Sequence, residues 1–372
     1  MTDAETDPRR SVLVLQGGGA LGSYQAGVFQ ALAEAGVAPD WVAGVSIGAI
    51  NASIIAGNPP GRRTARLRAF WHRITTAALP WLPTPFSDIP AWDSLSQRIG
   101  AANAMMFGQS GFFRPRPPLD WMGAGPLSFY DAGELRATLE ELVDFDLINA
   151  GVTRLSVGAV EVETGNLIYF DSARQKLGPE HIMASGALPP GFSAVTIEGR
   201  SFWDGGLVSN TPLQHVLADQ PRANSLIFQV DLFPARGPLP ATLDEVAERD
   251  KDIRYSSRTR TGTNDAGAQQ NMRRQVREFL RRLPPDLLDD PVTAKLQDFA
   301  CGAAIDVVQL IYRPLVPQGS QKDYQFDRAT MELRWDMGLE DARHSLRLAP
   351  WEQPAPPDLG FRSFDLTDPR KT

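Results

Sequence analysis

The sequence is poor in the residues that form disulfides and bind metals. It has 372 residues but only one cysteine and four histidines. A single cysteine excludes an internal disulfide, and so few cysteines and histidines exclude a zinc cluster. The chain contains neither a D-x-D-x-D-G calcium loop nor an H-E-x-x-H helix. We therefore expect no metal and no cofactor.

Long apolar runs are also missing. Since no stretch of about 20 apolar residues occurs, we expect no transmembrane helix. The first ten residues are acidic and then basic, without the apolar core of a secretory signal. The net charge of −7 argues against a general attraction to nucleic acid. We expect a cytoplasmic protein without a nucleic-acid partner, and a peripheral contact with the inner membrane surface stays open.

What the sequence does contain is an alternation of short apolar runs and helical patterns. Residues 11–15 predict a buried strand and residues 23–35 a helix, and residues 41–45 and 49–56 repeat that order. Such an alternation indicates a parallel sheet covered by helices. Further helices are expected over 62–79, 131–142, 180–187 and 211–218, a hairpin over 155–163 and 167–170, and strands over 225–233 and 306–312.

A serine lies between the second strand and the second helix, in the sequence Gly44-Val45-Ser46-Ile47-Gly48. Glycines on both sides remove the side chains that would collide in a sharp turn. The turn raises the serine hydroxyl above the sheet at a helix N-terminus, where backbone N–H groups favour negative charge. This context predicts a nucleophile elbow.

A glycine-rich loop follows the first strand and contains Gly17, Gly18, Gly19 and Gly22. Consecutive glycines let backbone N–H groups approach a phosphate or a developing oxyanion. The spacing also satisfies G-x-G-x-x-G, but a dinucleotide site needs an acidic residue after the second strand, where Ser46 stands. A nucleotide-binding module without enzymatic activity is therefore the weaker alternative.

A third glycine motif is Asp204-Gly205-Gly206, after a short apolar run. An aspartate on such a turn can approach a hydroxyl closely, or it can simply cap the turn. Taken with the glycine loop and the elbow, this motif resembles patatin-like phospholipases, acyl hydrolases with a Ser–Asp dyad. The segment 184–192 also matches the Ala-Ser-x-Ala-x-Pro stretch often found before that aspartate. The resemblance runs from about Val12 to Phe233.

The resemblance implies a three-layer α/β sandwich with a central, mostly parallel sheet. It implies a lipid or acyl-ester substrate, Ser46 as nucleophile and Asp204 as general base. The implied oxyanion hole consists of the backbone N–H groups of Gly17, Gly18, Gly19 and Ile47, and the implied supporting glycines are Gly22, Gly44, Gly48, Gly205 and Gly206. Many members carry Arg or Lys near the end of the glycine loop, where this chain has Leu21.

The motifs leave two points of chemistry open. They do not separate a phospholipase A from an esterase or thioesterase that acts on other acyl substrates. In addition, His215 or His344 would complete a Ser-acid-His triad by their order in the chain.

The expected organisation has three parts. Residues 1–10 form a disordered tail, 11–235 the hydrolase domain and 236–372 a C-terminal extension with a basic amphipathic helix and an added strand. Within the hydrolase domain, the apolar, Pro-rich stretch 80–130 is either a packed insertion or a lid. The last 20 residues are rich in proline, so we expect them to be loose.

The basic helix of the extension covers residues 249–282, which contain ten Lys or Arg and four acidic residues. Such a pattern is typical of a solvated face on a packed helix, and also of a helix that docks on an anionic lipid surface. Both interpretations stay open, as does the oligomeric state.

Overall fold

A computed structural model of the chain describes residues 9–75, 106, 108–121, 127–288, 290–314, 316–356 and 359–368. Its strands are β1 (Arg10–Leu15), β2 (Trp41–Val45), β3 (Arg114–Pro115), β4 (Tyr130–Asp131), β5 (Arg154–Glu161), β6 (Leu167–Asp171), β7 (Val195–Ile197), β8 (Arg200–Asp204), β9 (Ser225–Asp231), β10 (Ile305–Ile311) and β11 (Phe361–Asp365). Its helices are α1 (Ser23–Glu34), α2 (Ile47–Ala56), α3 (Arg63–Arg73), α4 (Gly133–Leu142), α5 (Phe145–Asn149), α6 (Pro179–Ser185), α7 (Leu213–Ala218), α8 (Leu243–Leu280), α9 (Pro285–Leu288), α10 (Pro291–Phe299) and α11 (Arg328–Leu348).

Within the described residues, nine strands form one sheet in the order β11, β10, β9, β1, β2, β5, β8, β7, and β6 also pairs with β5. The strands from β11 to β5 are parallel to their neighbours, whereas β6, β7 and β8 are antiparallel to theirs. The predicted fold class, with a central and mostly parallel sheet, is confirmed.

Helices cover both faces of the sheet, as the side chains of β1 illustrate. Leu13 and Leu15 enter a core that also contains apolar residues of α1, α2, α3 and α11. Val12 and Val14 point to the opposite core, which contains Leu213 of α7. Because every second side chain of a strand faces the same way, a strand buried on both faces reads as a continuous apolar run. This explains the sequence of residues 11–15.

The local boundaries follow from capping groups. β1 begins at Arg10, inside the predicted tail, whose residues 1–8 lie outside the described part. The long basic helix α8 begins at Leu243, earlier than predicted, because Thr242 accepts a hydrogen bond from the Glu245 N–H (3.2 Å). Glu245 in turn accepts one from the Ala241 N–H (2.7 Å). The two hydrogen bonds together cap the N-terminus of the helix.

The prediction that the last 20 residues are loose is wrong for part of the described segment 359–368. Phe361–Asp365 forms β11, which pairs in parallel with β10. Ion pairs fix both ends of the strand: Arg362 with Asp306 (2.7 Å) and Arg313 with Asp365 (2.7 Å). Prolines such as Pro354 and Pro356 precede the strand, so the composition of the whole segment did not indicate a strand within it.

No described helix is both long and apolar enough to cross a membrane.

The extension is joined to the first helix by close packing. A Cβ atom on Gly27 of α1 would collide with the carbonyl oxygen of Trp335 in α11, and one on Gly338 would collide with that of Tyr24. Both glycines therefore allow the two backbones to approach each other.

We expect Gly27→Ala to lower the free energy of unfolding by about 1–3 kcal/mol, because the added methyl group has no room between α1 and α11. Urea denaturation of the full chain measures this. Gly61→Ala is the matched control, since a Cβ there meets nothing within 4 Å. Equal midpoints for the two variants would contradict the described packing.

Candidate active site

One edge of β5 brings the two predicted catalytic residues together. Val45, at the end of β2, is opposite Gly158, and Asp204, at the end of β8, is opposite Ala159. β6 pairs with the other edge of β5, so β2 and β8 share the same edge and their carboxyl ends meet there. The serine that follows β2 therefore lies beside Asp204.

Ser46 adopts a strained backbone conformation, with φ 57° and ψ −126°. A residue with a side chain rarely adopts a positive φ, and such strain is typical of functional turns. The turn is tight, because a Cβ atom on Gly44 would collide with the Gly48 carbonyl and one on Gly48 with the Leu15 carbonyl. The Ser46 N–H donates to Ser185, whose carbonyl and hydroxyl oxygens lie at 3.1 and 3.0 Å.

Asp204 is a buried carboxyl with few partners. Only 2% of its surface is exposed. Burial raises its pKa to about 6, against the opposing effect of hydrogen bonds from the Ser46 side chain and the Gly206 N–H. The latter bond is 2.7 Å long and holds Oδ1. The structure thus places Ser46 and Asp204 next to each other in the lining of one cavity.

The segment that matched the Ala-Ser-x-Ala-x-Pro stretch supports both residues. Ser185 accepts from the Ser46 N–H and donates its hydroxyl to the Gly158 carbonyl (2.6 Å). The Ala187 carbonyl accepts from the Asp204 N–H (3.0 Å). This segment therefore ties the elbow and the aspartate to β5.

The glycine loop lies next to the elbow. Within the described residues, the N–H groups of Gly18, Gly19 and Ile47 have no acceptor, so they are available to an oxyanion. The Gly17 N–H was also predicted to be part of the oxyanion hole, but it already donates to the Asn210 carbonyl (3.1 Å). In this conformation Gly17 shapes the loop and does not offer a free donor.

Sequence reasoning missed Asn210. Its backbone carbonyl accepts from Gly17, its side-chain amide donates to the Gly17 carbonyl (2.8 Å), and it lines the same cavity as Ser46. A Cβ atom on Gly206 would approach its side-chain oxygen to 2.9 Å. Asn210 therefore fixes the start of the glycine loop beside the aspartate turn. The only signal was its position shortly after Asp204-Gly205-Gly206.

Ser46 and Asp204 open into a cavity of about 290 Å³ whose lining includes eight aromatic side chains. Phe113 is one of these and contacts the rings of Tyr130 and Phe192 at centroid distances of 5.0 and 5.6 Å. Phe113 and Tyr130 both belong to the described part of the predicted insertion 80–130. Residues 80–105, 107 and 122–126 lie outside the described part, so a lid there stays a prediction.

The C-terminal extension supplies a second wall. Tyr255 of α8 and the residues Asp323, Tyr324 and Phe326 before α11 line the cavity. The Tyr255 ring contacts Phe233 at 4.7 Å, and its carbonyl accepts from Gln16 (3.3 Å). None of these residues belonged to a motif of the sequence.

All four histidines lie in the described part of the chain, and none lines this cavity. His215 stacks on Tyr169 at 4.1 Å and contacts the Asp171 carboxylate at 3.3 Å, away from Ser46. The described residues also contain no group of three or more His, Cys, Asp or Glu that is arranged to hold a metal. The described lining of the cavity therefore offers Ser46 a neighbouring carboxyl group and no imidazole.

The C-terminal part of α8 and the two residues that follow it carry five of the ten basic residues of 249–282 and lie far from the cavity. Tyr255 contacts residues after the carboxyl ends of the strands, whereas Gln270 donates to the Ala303 carbonyl (2.9 Å), just before β10 begins. The arginines from Arg273 onward thus lie at the amino ends of the strands. Membrane contact through 249–282 stays a prediction, and the arginines from Arg273 onward do not line the cavity.

The fold and the site together define a class: a three-layer α/β protein in which a serine on a strained strand-to-helix turn faces a buried aspartate. A family model described as "Patatin-like phospholipase" matches residues 13–217. A second, described as "Patatin phospholipase", matches residues 253–358. The chain belongs to the patatin-like phospholipase family. A search of curated proteins found no match.

Several solved structures are similar in fold. VipD from Legionella pneumophila is 15% identical with a TM-score of 0.37, and the match covers 93% of this chain and 69% of VipD. The ExoU–SpcU complex of Pseudomonas aeruginosa is 16% identical (TM-score 0.31; 78% and 58% covered), and human GIVD cytosolic phospholipase A2 is 11% identical (TM-score 0.38; 94% and 60% covered). The chain thus spans less than two thirds of the latter two.

We expect Asn210→Ala to lower the turnover of a short acyl ester roughly 10- to 100-fold per folded molecule, because the glycine loop loses its anchor beside Ser46. Asn58→Ala is the matched control. Asn58 is equally buried and donates to two backbone carbonyls, of Ile54 and Leu142, away from the cavity. Equal turnover in the two variants would show that Asn210 does not position the site.

Proposed function

We propose that this chain is a serine acyl hydrolase that cleaves fatty-acyl esters of lipids, of the phospholipase A type, with Ser46 and Asp204 as its catalytic dyad. The observation that carries the proposal is that the strained Ser46 turn and the buried Asp204 line one cavity, where the carboxyl ends of β2 and β8 meet. Membership of the patatin-like phospholipase family supports the reaction class.

In the first step Asp204 acts as general base. It takes the hydroxyl proton as Ser46 Oγ forms a bond to the carbonyl carbon of the ester. A free aspartate is a weak base at neutral pH, but burial brings the pKa of Asp204 to about 6. A base with a pKa nearer to the working pH removes the proton more effectively.

The carbonyl oxygen becomes negatively charged in this step. The N–H groups of Gly18, Gly19 and Ile47 have no acceptor among the described residues and supply its hydrogen bonds. Loss of one such donor typically costs about 3 kcal/mol of barrier. The Ile47 N–H is also the first of α2, where the helix dipole favours negative charge.

Collapse of the tetrahedral intermediate breaks the ester C–O bond. Asp204 returns its proton to the leaving alcohol, and the acyl group stays on Ser46. Asp204 then takes a proton from water, which attacks the acyl-enzyme. The fatty acid leaves when the Ser46 oxygen regains a proton from Asp204.

One observation favours a second candidate, an esterase or thioesterase for smaller acyl substrates. The described cavity, about 290 Å³, is at the lower end of the range for ligand sites. A two-chain lipid would place only part of one acyl chain inside it. The chemistry at Ser46 is the same for both candidates.

We expect Ser46→Ala to reduce ester hydrolysis about 10⁴-fold or more, and Asp204→Asn about 10³-fold, because each change removes one member of the dyad. Release of fatty acid from phospholipid vesicles and of chromophore from short p-nitrophenyl esters measures this. Activity on esters but not on vesicles favours the second candidate.

Matched controls exist for both substitutions. Ser53→Ala removes another buried hydroxyl of α2, which donates to the Ile50 carbonyl (2.8 Å). Asp231→Asn changes a second buried carboxyl, outside the cavity. Both controls should retain activity. Full activity in the Asp204→Asn protein would remove Asp204 as the base.

We expect kcat/KM to fall about tenfold per pH unit below about pH 6 and to level off above it. The sign follows from the role of Asp204: protonated below its raised pKa, it cannot accept the proton of Ser46. A pH–rate profile measures this. Asp231 also has a pKa raised to about 6 by burial, so Asp231→Asn must leave the profile in place. A profile that is flat down to pH 4 would contradict Asp204 as base.

A further inference from the structure

A segment of the C-terminal extension, Gln318–Phe326, packs against the glycine loop. A Cβ atom on Gly19 would collide with the Asp323 carbonyl oxygen, so the two backbones are in direct contact. Gly19 also has a positive φ of 55°, which a side chain rarely allows. Next to this contact, Tyr324 lines the cavity that contains Ser46.

The segment is held by a buried lysine. Lys322 is fully buried, and its ammonium group lies 3.1 Å from Glu248 and 2.6 Å from Asp252 on α8. Both carboxylates are also buried. Since a buried charge is costly unless it is paired, this arrangement strongly favours one position of the segment.

Other contacts also hold the segment Gln318–Phe326 against the same face of α8. Glu248 accepts from the Gly319 N–H (2.8 Å), and Asp244 accepts from the Ser320 hydroxyl (2.6 Å). Lys251 forms an ion pair with Asp323 (2.7 Å). These helix residues recur at spacings of three and four, which places them on one side of α8.

α11 holds the segment from its other side. Arg334 is fully buried and donates to the Gln325 side chain (2.6 Å) and to the Lys322 carbonyl (3.0 Å). The segment is thus fixed by two helices of the extension, and its remaining face contacts the glycine loop.

We propose that Lys322 is a positioning residue of the active site: by fixing Asp323 and Tyr324 against Gly19, it holds the N–H groups of Gly18 and Gly19 in place for the oxyanion. The catalytic part of this inference rests on the proposed function. The physical reason is that Gly17, Gly18 and Gly19 have no side chains of their own to pack, so their position depends on the groups that surround them. Preorganised donors stabilise a transition state only when they are already in place.

The first test needs no substrate. Hydrogen exchange of the full chain compares wild type with Lys322→Met, and we expect peptides that cover 16–24 to exchange about tenfold faster or more in the variant, with β2 unchanged. Arg362→Met is the matched control, because it removes a mostly buried ion pair with Asp306 at the opposite end of the sheet. It should leave exchange in 16–24 unchanged.

The second test measures turnover of a short ester per folded molecule. We expect Lys322→Met to lower kcat roughly 10- to 100-fold while KM changes less than about threefold, because oxyanion stabilisation suffers more than the binding of a short ester, which needs little of the wall formed by Asp323 and Tyr324. Arg362→Met should retain the wild-type kcat. If Lys322→Met does not fold, the triple variant Lys322→Met, Glu248→Gln, Asp252→Asn removes the unpaired charges along with the anchor and should show the same two effects.

The two tests separate the two proposals. Wild-type exchange in 16–24 together with wild-type kcat, in a folded variant that lacks Lys322, overturns the positioning role. Faster exchange in Arg362→Met as well would also overturn it, because the effect would then be general. If wild type hydrolyses no ester, the proposed function fails, and the exchange experiment still decides whether Lys322 holds the glycine loop.

Discussion

The site depends on the pairing of two strands with one edge of β5. Gly158 pairs with the end of β2 and Ala159 with the end of β8, so hydrogen bonds of the backbone alone set Val45 and Asp204 side by side. Two residues far apart in sequence thereby meet without a long side chain to reach across. The contacts of Ser185 and Asn210 refine this placement but do not create it.

In the proposed mechanism, burial gives Asp204 the property that a histidine has in a conventional triad, a pKa near the working pH. A carboxyl in water ionises far below neutral pH, whereas Asp204 is removed from water and has a pKa of about 6. Its hydrogen bonds limit that rise, since each stabilises the ionised form. The location of the four histidines away from the cavity is consistent with a site that does not need them.

Features that depend on neighbouring residues could be predicted from the sequence. Features that depend on contacts between distant segments of the chain could not. Ser46 and Asp204 could be found because a strained turn requires glycine neighbours, and glycines are visible in a sequence. Asn210, Lys322 and Tyr324 could not, because their roles come from contacts between segments far apart in the chain. β11 was missed for the same reason: its partner strand, more than its own composition, makes Phe361–Asp365 a strand.

The position of β9 bears on how the two matched segments of the chain relate. β9 lies between β1 and β10, hydrogen-bonded to both, yet it follows the first match, 13–217, and precedes the second, 253–358. A fragment that ended at residue 217 would leave the inner strand β1 with an open, apolar edge, the kind of surface that promotes aggregation. The two matched segments are thus joined through β9 into one sheet, so the boundary between the two matches is not a boundary between separately folded layers.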